Sequence, residues 1–337
     1  GDPIFYDTSR PQPYSPSLKW EETTTYNVGI DYGFFDNRIE GSIEAYFRET
    51  QDLLFFVSIP SGGGLSNADF LNIGSLENRG LEVTLNTTPI QTDNLTWTVG
   101  GNLTVQDTEI TQIYDTQSDE FEGFLTGGFA GGVGNTIQIQ SVGYNPNAFF
   151  VYEQAYDAQG NPLEGVYVDR NNDGVINIDD RYRYKKPAAD VYYGFNTTLS
   201  YKNWDFSMFW RGSYGNYNYN NVQSNLGYRT QVLRYNNTLS NASTNVLETN
   251  FNDGGIDRYL SDYYIQDASF LKLDNISLGY TFNNLSDGNL SMKVYGTASN
   301  VLIISDYDGI DPEVGGGIDN TIYPRPRTFL FGINIDF

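Results

Sequence analysis

Apolar and polar residues alternate without interruption over unusually long runs near the start of the chain. Tyr26, Val28, Ile30, Tyr32 and Phe34 share one parity, and Thr25, Asn27, Gly29, Asp31 and Gly33 share the other. After Asp36-Asn37, Ile39, Gly41, Ile43, Ala45 and Phe47 alternate with Glu40, Ser42, Glu44, Tyr46 and Arg48. Period 2 on both sides of a tight turn predicts a β-hairpin from Trp20 to Leu54. Both arms hold the alternation for the roughly 9–11 residues that a tilted strand needs to cross a bilayer. The expected fold is therefore all-β: an antiparallel transmembrane β-barrel, with its apolar parity towards lipid and its polar parity towards a wet interior.

The same pattern returns at 81–86, 95–106, 191–201, 204–210, 276–282, 290–294 and 329–337. That makes nine strands, or eleven if 137–190, with its strand-like Ala148–Tyr156, contributes a pair. Leu271 and Leu273 break parity with Ile276, Leu278, Tyr280 and Phe282, which predicts a bulge or a strand end near Asp274. Short turns at 35–38, 89–94, 202–203 and 283–289 alternate with long connections at 56–75, 107–190, 215–265 and 303–326. Outer-membrane barrels have short periplasmic turns and long extracellular loops. On that rule the long loops are extracellular and the C-terminus is periplasmic. Residues 1–19 hold four prolines, which argues against a central strand there. An odd strand count with open edges cannot stand in lipid, so an N-terminal part is expected outside this chain.

Composition narrows the chemistry. Aromatic residues make up 15% of the 337, with 27 Tyr, which suits interfacial girdles. The chain has no cysteine and no histidine, which removes disulfides, thiolate and histidine metal sites, and Ser–His or Cys–His catalysis. A formal net charge of −23 argues against nucleic acid as a partner. Glu40/Glu44 and Asp179/Asp180 could be read as acid pairs for glycoside hydrolysis. The first pair sits on one strand face as lumen residues do, and the second lies within another motif, so no enzyme is expected.

That motif is Asp169–Asp180. Oxygen side chains at Asp169, Asn171, Asp173, Asn177 and Asp180 occupy loop positions 1, 3, 5, 9 and 12. Gly174 is at position 6, and Val175 at position 7 can offer its carbonyl. This spacing wraps a chain around Ca²⁺, against the plainer reading of an Asn/Asp/Gly turn without an ion. The segment 215–265, with Tyr214 just before it, mixes tyrosines (Tyr214, Tyr217, Tyr219, Tyr228, Tyr235) with Asn216, Asn218, Asn220 and Asn221. Aromatic faces and amides suit a sugar or partner contact, against a solvated loop. Phe337 closes the last alternating strand and is a candidate barrel-assembly signal, against simple lipid-facing packing.

Several runs resemble one family. Ser15-Pro16-Ser17-Leu18-Lys19-Trp20-Glu21, Tyr26-Asn27-Val28-Gly29-Ile30-Asp31 and Asn37-Arg38-Ile39 are similar to the signature of SusC/RagA-type TonB-dependent transporters. So are Asn78-Arg79-Gly80-Leu81-Glu82, Asp306-Tyr307-Asp308-Gly309-Ile310-Asp311-Pro312-Glu313, Tyr323-Pro324-Arg325-Pro326-Arg327-Thr328 and the closing Phe337. The resemblance implies a barrel of ~22 strands around an N-terminal plug, with 1–337 as its C-terminal barrel region. It also implies import of oligosaccharide or peptide fragments across the outer membrane. A SusD-like surface lipoprotein would be the lid, and the TonB complex, acting through the missing N-terminal part, would supply energy. The alternatives are a passive porin-like barrel and a soluble calcium-binding β-rich adhesin or binding module.

Overall fold

A computed structural model describes residues 17–58, 68–113, 121–233, 238–252, 256–285, 290–320 and 323–337. Nine strands form one antiparallel sheet: β1 (Glu22–Phe34), β2 (Ile39–Ser58), β3 (Ala68–Gln91), β4 (Leu95–Ile113), β5 (Val191–Tyr201), β6 (Trp204–Tyr214), β7 (Phe270–Leu285), β8 (Leu290–Ser305) and β9 (Thr328–Asp336). Each pairs with its neighbour in chain order, so the sheet is a meander. β1 and β9 are its edges and do not pair with each other.

The nine strands are those that alternation predicts, but several are longer. β2 runs on to Ser58 and β3 begins at Ala68, so most of the expected connection 56–75 is strand. The register slips between Thr50 and Leu53, with Asp52 in the left-handed region at φ 59°. A bulge there shifts the parity, and a period-2 reading stops where the strand does not. β4 likewise continues to Ile113, past a slip between Ser75 and Leu76 on its partner. The bulge near Asp274 is present: Leu273 pairs with Trp210 and Asn275 with Phe209, which leaves Asp274 unpaired. β2, β3 and β4, at 20, 24 and 19 residues, are far longer than a bilayer requires. The wall therefore stands well above the membrane at one end.

The two faces of the wall differ as expected. Ile30, Ile43, Leu85, Leu103, Phe195, Leu278, Val294 and Ile333 are apolar and exposed on one face. Thr198, Asp205, Ser207, Ser277, Lys293 and Asn334 line a cavity on the other. Tyrosines stiffen the sheet where it has no side chain of its own. Tyr46 pairs with Gly80 and lays its ring where a Cβ would be, so any other residue at Gly80 would collide with it. At the short-turn end, Arg38 donates to the carbonyl oxygens of Thr88 (3.1 Å) and Pro89 (2.9 Å), lacing one turn to the next.

The hydrophobic core lies elsewhere. Phe129, Ile137, Phe149, Val151, Tyr219, Phe251, Tyr264 and Ile265 form one buried cluster, and all come from the long connections. The segment 137–190 adds no pair to the wall. Phe124–Gly128, Thr136–Gln140, Ala148–Val151 and Tyr182–Arg183 make a separate four-stranded sheet. With two short helices, Asn221–Leu226 and Val246–Thr249, they build a lobe at the long-loop end. The N-terminal proline-rich stretch up to Pro16, Gly62-Gly63-Gly64, Tyr235 and the tip of the 283–289 turn lie outside the described residues.

Candidate functional site

On the polar face, below the lobe, lies a cavity of about 590 Å³ lined by Asn102, Thr104, Arg211, Phe270, Glu313 and Arg325, among others. Arg211 and Lys272 are cross-strand partners on β6 and β7, and the bulge turns the Asp274 carboxylate towards both. Glu313 reaches in from the connection between β8 and β9. It accepts from Arg211, from Lys272 Nζ at 3.0 Å, and from Arg325. Arg325 also pairs with Asp311 at 3.2 Å. Three cations and three carboxylates thus clasp the 306–327 connection to the inner face of the wall. Lys272 is only 2% exposed. Burial by itself would raise the Glu313 carboxyl, but the hydrogen bonds from Arg211 and Lys272 outweigh it and hold it down at about 2.

Sequence reading did not single out this network. Its one local signal was the parity break at Asp274. Glu313 and Arg325 fall within the C-terminal runs that carry the resemblance, but nothing local says that they meet Arg211, 102 residues from Glu313.

The tyrosines expected on a contact surface separate. Tyr219 and Tyr228 belong to the lobe core, which corrects their placement on an accessible loop. Their rings fill space between the lobe's segments, and the neighbouring Asn218, Asn220 and Asn221 are buried with them. Asn218 donates to Pro312 O at 2.8 Å, and Asn220 caps the first helix by accepting from Gln223 N at 3.0 Å. The amides thus hold backbone rather than await a ligand. Tyr214 and Tyr217 line a second cavity where the wall meets the lobe.

Asp169–Asp180 folds as a tight loop on the lobe surface. Gly174 takes φ 85°, and its N–H donates to Asp169 Oδ2 at 2.8 Å. Asp173 N donates to Asn171 Oδ1, Val175 N to Asp173 Oδ1 and Asp179 N to Asn177 Oδ1. Asp180 is fully enclosed and accepts from the N–H groups of Asn177, Arg170 and Asn171, which hold its carboxyl below the usual range. Asp169 Oδ1 is buried without a hydrogen-bond partner. Among the described residues, no three acidic side chains gather closely enough to hold a metal by themselves. A cation here would depend on amide and carbonyl oxygens as well. Glu44 faces the lumen and accepts from Asn27 Nδ2 at 3.1 Å. Phe337 ends the chain fully exposed, beyond β9.

A family profile described as "TonB dependent receptor-like, beta-barrel" matches residues 2–142. "TonB-dependent receptor SusC" of Bacteroides thetaiotaomicron is 44% identical over 99% of this chain and 34% of its own length. The chain belongs to the SusC/RagA-type TonB-dependent receptors and carries nine strands of the barrel wall. "TonB-dependent receptor P26" of Formosa agariphila is 31% identical over 97% of the chain and 36% of its own length. Among solved structures, the RagAB peptide transporter superposes with a TM-score of 0.76 at 25% identity, over 96% of this chain and 36% of that one. The chain therefore spans about a third of the length of the curated relatives it matches. As a SusC/RagA-type wall it belongs to the outer membrane. These relatives are named as TonB-dependent receptors and a peptide transporter.

Proposed function

We propose that this chain forms wall and outer loops of a TonB-dependent importer that takes up oligosaccharide or peptide fragments under a SusD-like surface lipoprotein. The observation that carries the reading is the match to SusC across nearly the whole chain. The structure supports it with a polar lumenal face, short turns at one end and a folded lobe at the other. On this reading the lobe is extracellular, the C-terminus is periplasmic, and strands from outside this sheet pair with β1 and β9, since lipid does not tolerate an open edge. Uptake of labelled oligosaccharide and peptide fragments by cells expressing the protein is expected to stop when TonB is deleted. Uptake that persists without TonB would point to a passive pore instead.

The Asp169–Asp180 loop is proposed to bind Ca²⁺ through Asp169, Asn171, Asp173, the Val175 carbonyl, Asn177 and Asp180. The support is the oxygen spacing, the Gly174 turn and the buried, unpartnered Asp169 Oδ1. Calcium titration of the purified protein is expected to show one saturable site that Asp169→Ala removes. Identical titrations for the two proteins would leave only a hydrogen-bonded turn.

Phe337 is proposed as part of the signal read during barrel assembly. Its deletion is expected to lower the amount of folded protein in the outer membrane, scored by heat-modifiable gel mobility. Undiminished assembly would reduce Phe337 to packing.

A further inference from the structure

The lumenal cavity beside the clasp holds two aromatic rings that no contact in the fold explains. Tyr192 on β5 and Phe209 on β6 both line it. Both lie on the polar parity: Tyr192 pairs with Thr104 and Ser213, and Phe209 with Asn196 and Asn275. A wall face turned to water gains nothing from a bare apolar ring. Other rings on this face have a structural role. Tyr46 and Tyr295 lie where a Cβ at Gly80 or Gly332 would be. Phe270 is 7% exposed, with the Arg211 guanidinium over its ring. Tyr192 and Phe209, by contrast, are 45% and 40% exposed. Among the described residues neither ring stacks on another ring or on a cation, and the Tyr192 hydroxyl has no hydrogen-bond partner.

The surface between the rings is polar. Gly194 and Arg211, paired across β5 and β6, lie between them. Asn102 Oδ1 lies where a Cβ at Gly194 would clash with it, so the amide leans across the gap that the glycine leaves. That amide is exposed and has no protein hydrogen-bond partner among the described residues. Along β6, Phe209 lies four residues from Ser213, the partner of Tyr192, which is about 13 Å at the rise of a strand. The rings are too far apart to sandwich one ring of a ligand and close enough to hold two rings of one short chain. The charges beside them are taken up by one another. Arg211, Glu313 and Arg325 are the charged residues that line the cavity. All three belong to the clasp, where Arg211, Lys272 and Arg325 face Glu313, Asp274 and Asp311. Three cations against three carboxylates leave no net charge.

A ligand with charges of its own, such as a peptide with its two termini, finds no free counter-charge here. An uncharged ligand must offer apolar faces to the rings and hydroxyls to the amide. A sugar offers both. Its C–H groups lie against the electronegative face of an aromatic ring, and its hydroxyls donate and accept. We propose that Tyr192 and Phe209 are stacking platforms for a neutral oligosaccharide in the lumen, with one sugar ring on each and its hydroxyls on Asn102 and Thr104. The proposal rests on the import reading given under Proposed function and narrows its substrate class to uncharged oligosaccharide.

The test is isothermal titration calorimetry on the full-length receptor purified in detergent. The probes are linear hexasaccharides of glucose, mannose and fructose, a hexagalacturonate as the charged sugar, and a mixture of unmodified hexapeptides. A neutral hexasaccharide is expected to bind in preference to the hexagalacturonate and the peptides. Phe209→Leu and Tyr192→Leu keep apolar bulk and remove the ring face. Each is expected to weaken binding of that sugar about tenfold, the order of one aromatic contact. Phe209→Tyr and Tyr192→Phe keep the ring and should bind as the wild type does, and so should Phe329→Leu on the lipid face. Leucine variants that bind as tightly as the wild type would overturn the proposal, which is the result if a segment outside this chain covers the rings. Preference for the hexagalacturonate or the peptides, or no binding of any neutral sugar, would overturn it too. The probes are compared on the unaltered receptor, so they decide the matter even if a leucine variant folds poorly. Binding is read without TonB. Loss of the uptake result would therefore count against the import reading alone, and peptide preference against this proposal alone.

Discussion

Glu313→Gln is expected to destabilise the folded protein by about 3 kcal/mol, the low end of the range for breaking a buried ion pair. Glutamine keeps the size and removes the charge. Lys272, at 2% exposure, would then depend on Asp274 alone at 3.7 Å, and Arg211 would lose its fork onto Glu313. The low end applies because Arg211 and Arg325 remain 34% and 44% exposed, so water recovers part of their solvation. The measurement is urea unfolding in detergent micelles, with protease cleavage in 306–327 as a local probe. Loss of that clasp should expose the connection to cleavage before the wall unfolds. A variant as stable and as resistant as the wild type would show that the network has no role in holding the connection.

The same residue sets a pH dependence. Its carboxyl lies at about 2 in the folded protein against an ordinary 4.5. A depressed carboxyl stabilises the fold above its ordinary value and loses that contribution as pH falls through the folded one. Protease resistance of the connection should therefore be constant above pH 4.5 and decline towards pH 2. Glu313→Gln should flatten that part of the profile.

Phe195→Lys is expected to cost about 2–4 kcal/mol and to deplete the folded barrel, because it places a charge on the lipid face near the middle of a spanning strand. Phe195 lies at the centre of β5, opposite Gly101 on β4 and Trp210 on β6. Asn196, one residue on, faces the lumen, in a polar cavity that Asn86 and Thr98 also line. Asn196→Lys should therefore be tolerated, because the new ammonium stays in the wet interior. Folded yield by heat-modifiable mobility, followed by urea unfolding, compares the two. Equal effects of the two substitutions would mean that the faces of the wall are not divided between lipid and water.

What the sequence determined was the wall. A strand with one face in lipid and one in water must alternate, and that constraint is local. Nine strands, their order and the bulge at Asp274 could be read from it, and so could the division of faces at Phe195 and Asn196. Strand lengths were legible only up to the first parity slip, as at Asp52, where a left-handed residue flips the pattern and the strand continues. Tertiary structure decided the lobe. Its core joins Phe129, Phe149, Tyr219, Phe251 and Tyr264 from connections far apart in the chain, on segments too short to show a period. Tyr219 and Tyr228 look like surface aromatics in sequence because their neighbours are asparagines, but those amides are buried as backbone partners. The clasp has the same origin. A carboxylate at Glu313 acquires its meaning from Arg211, Lys272 and Arg325 opposite it, and only the folded chain places those groups together.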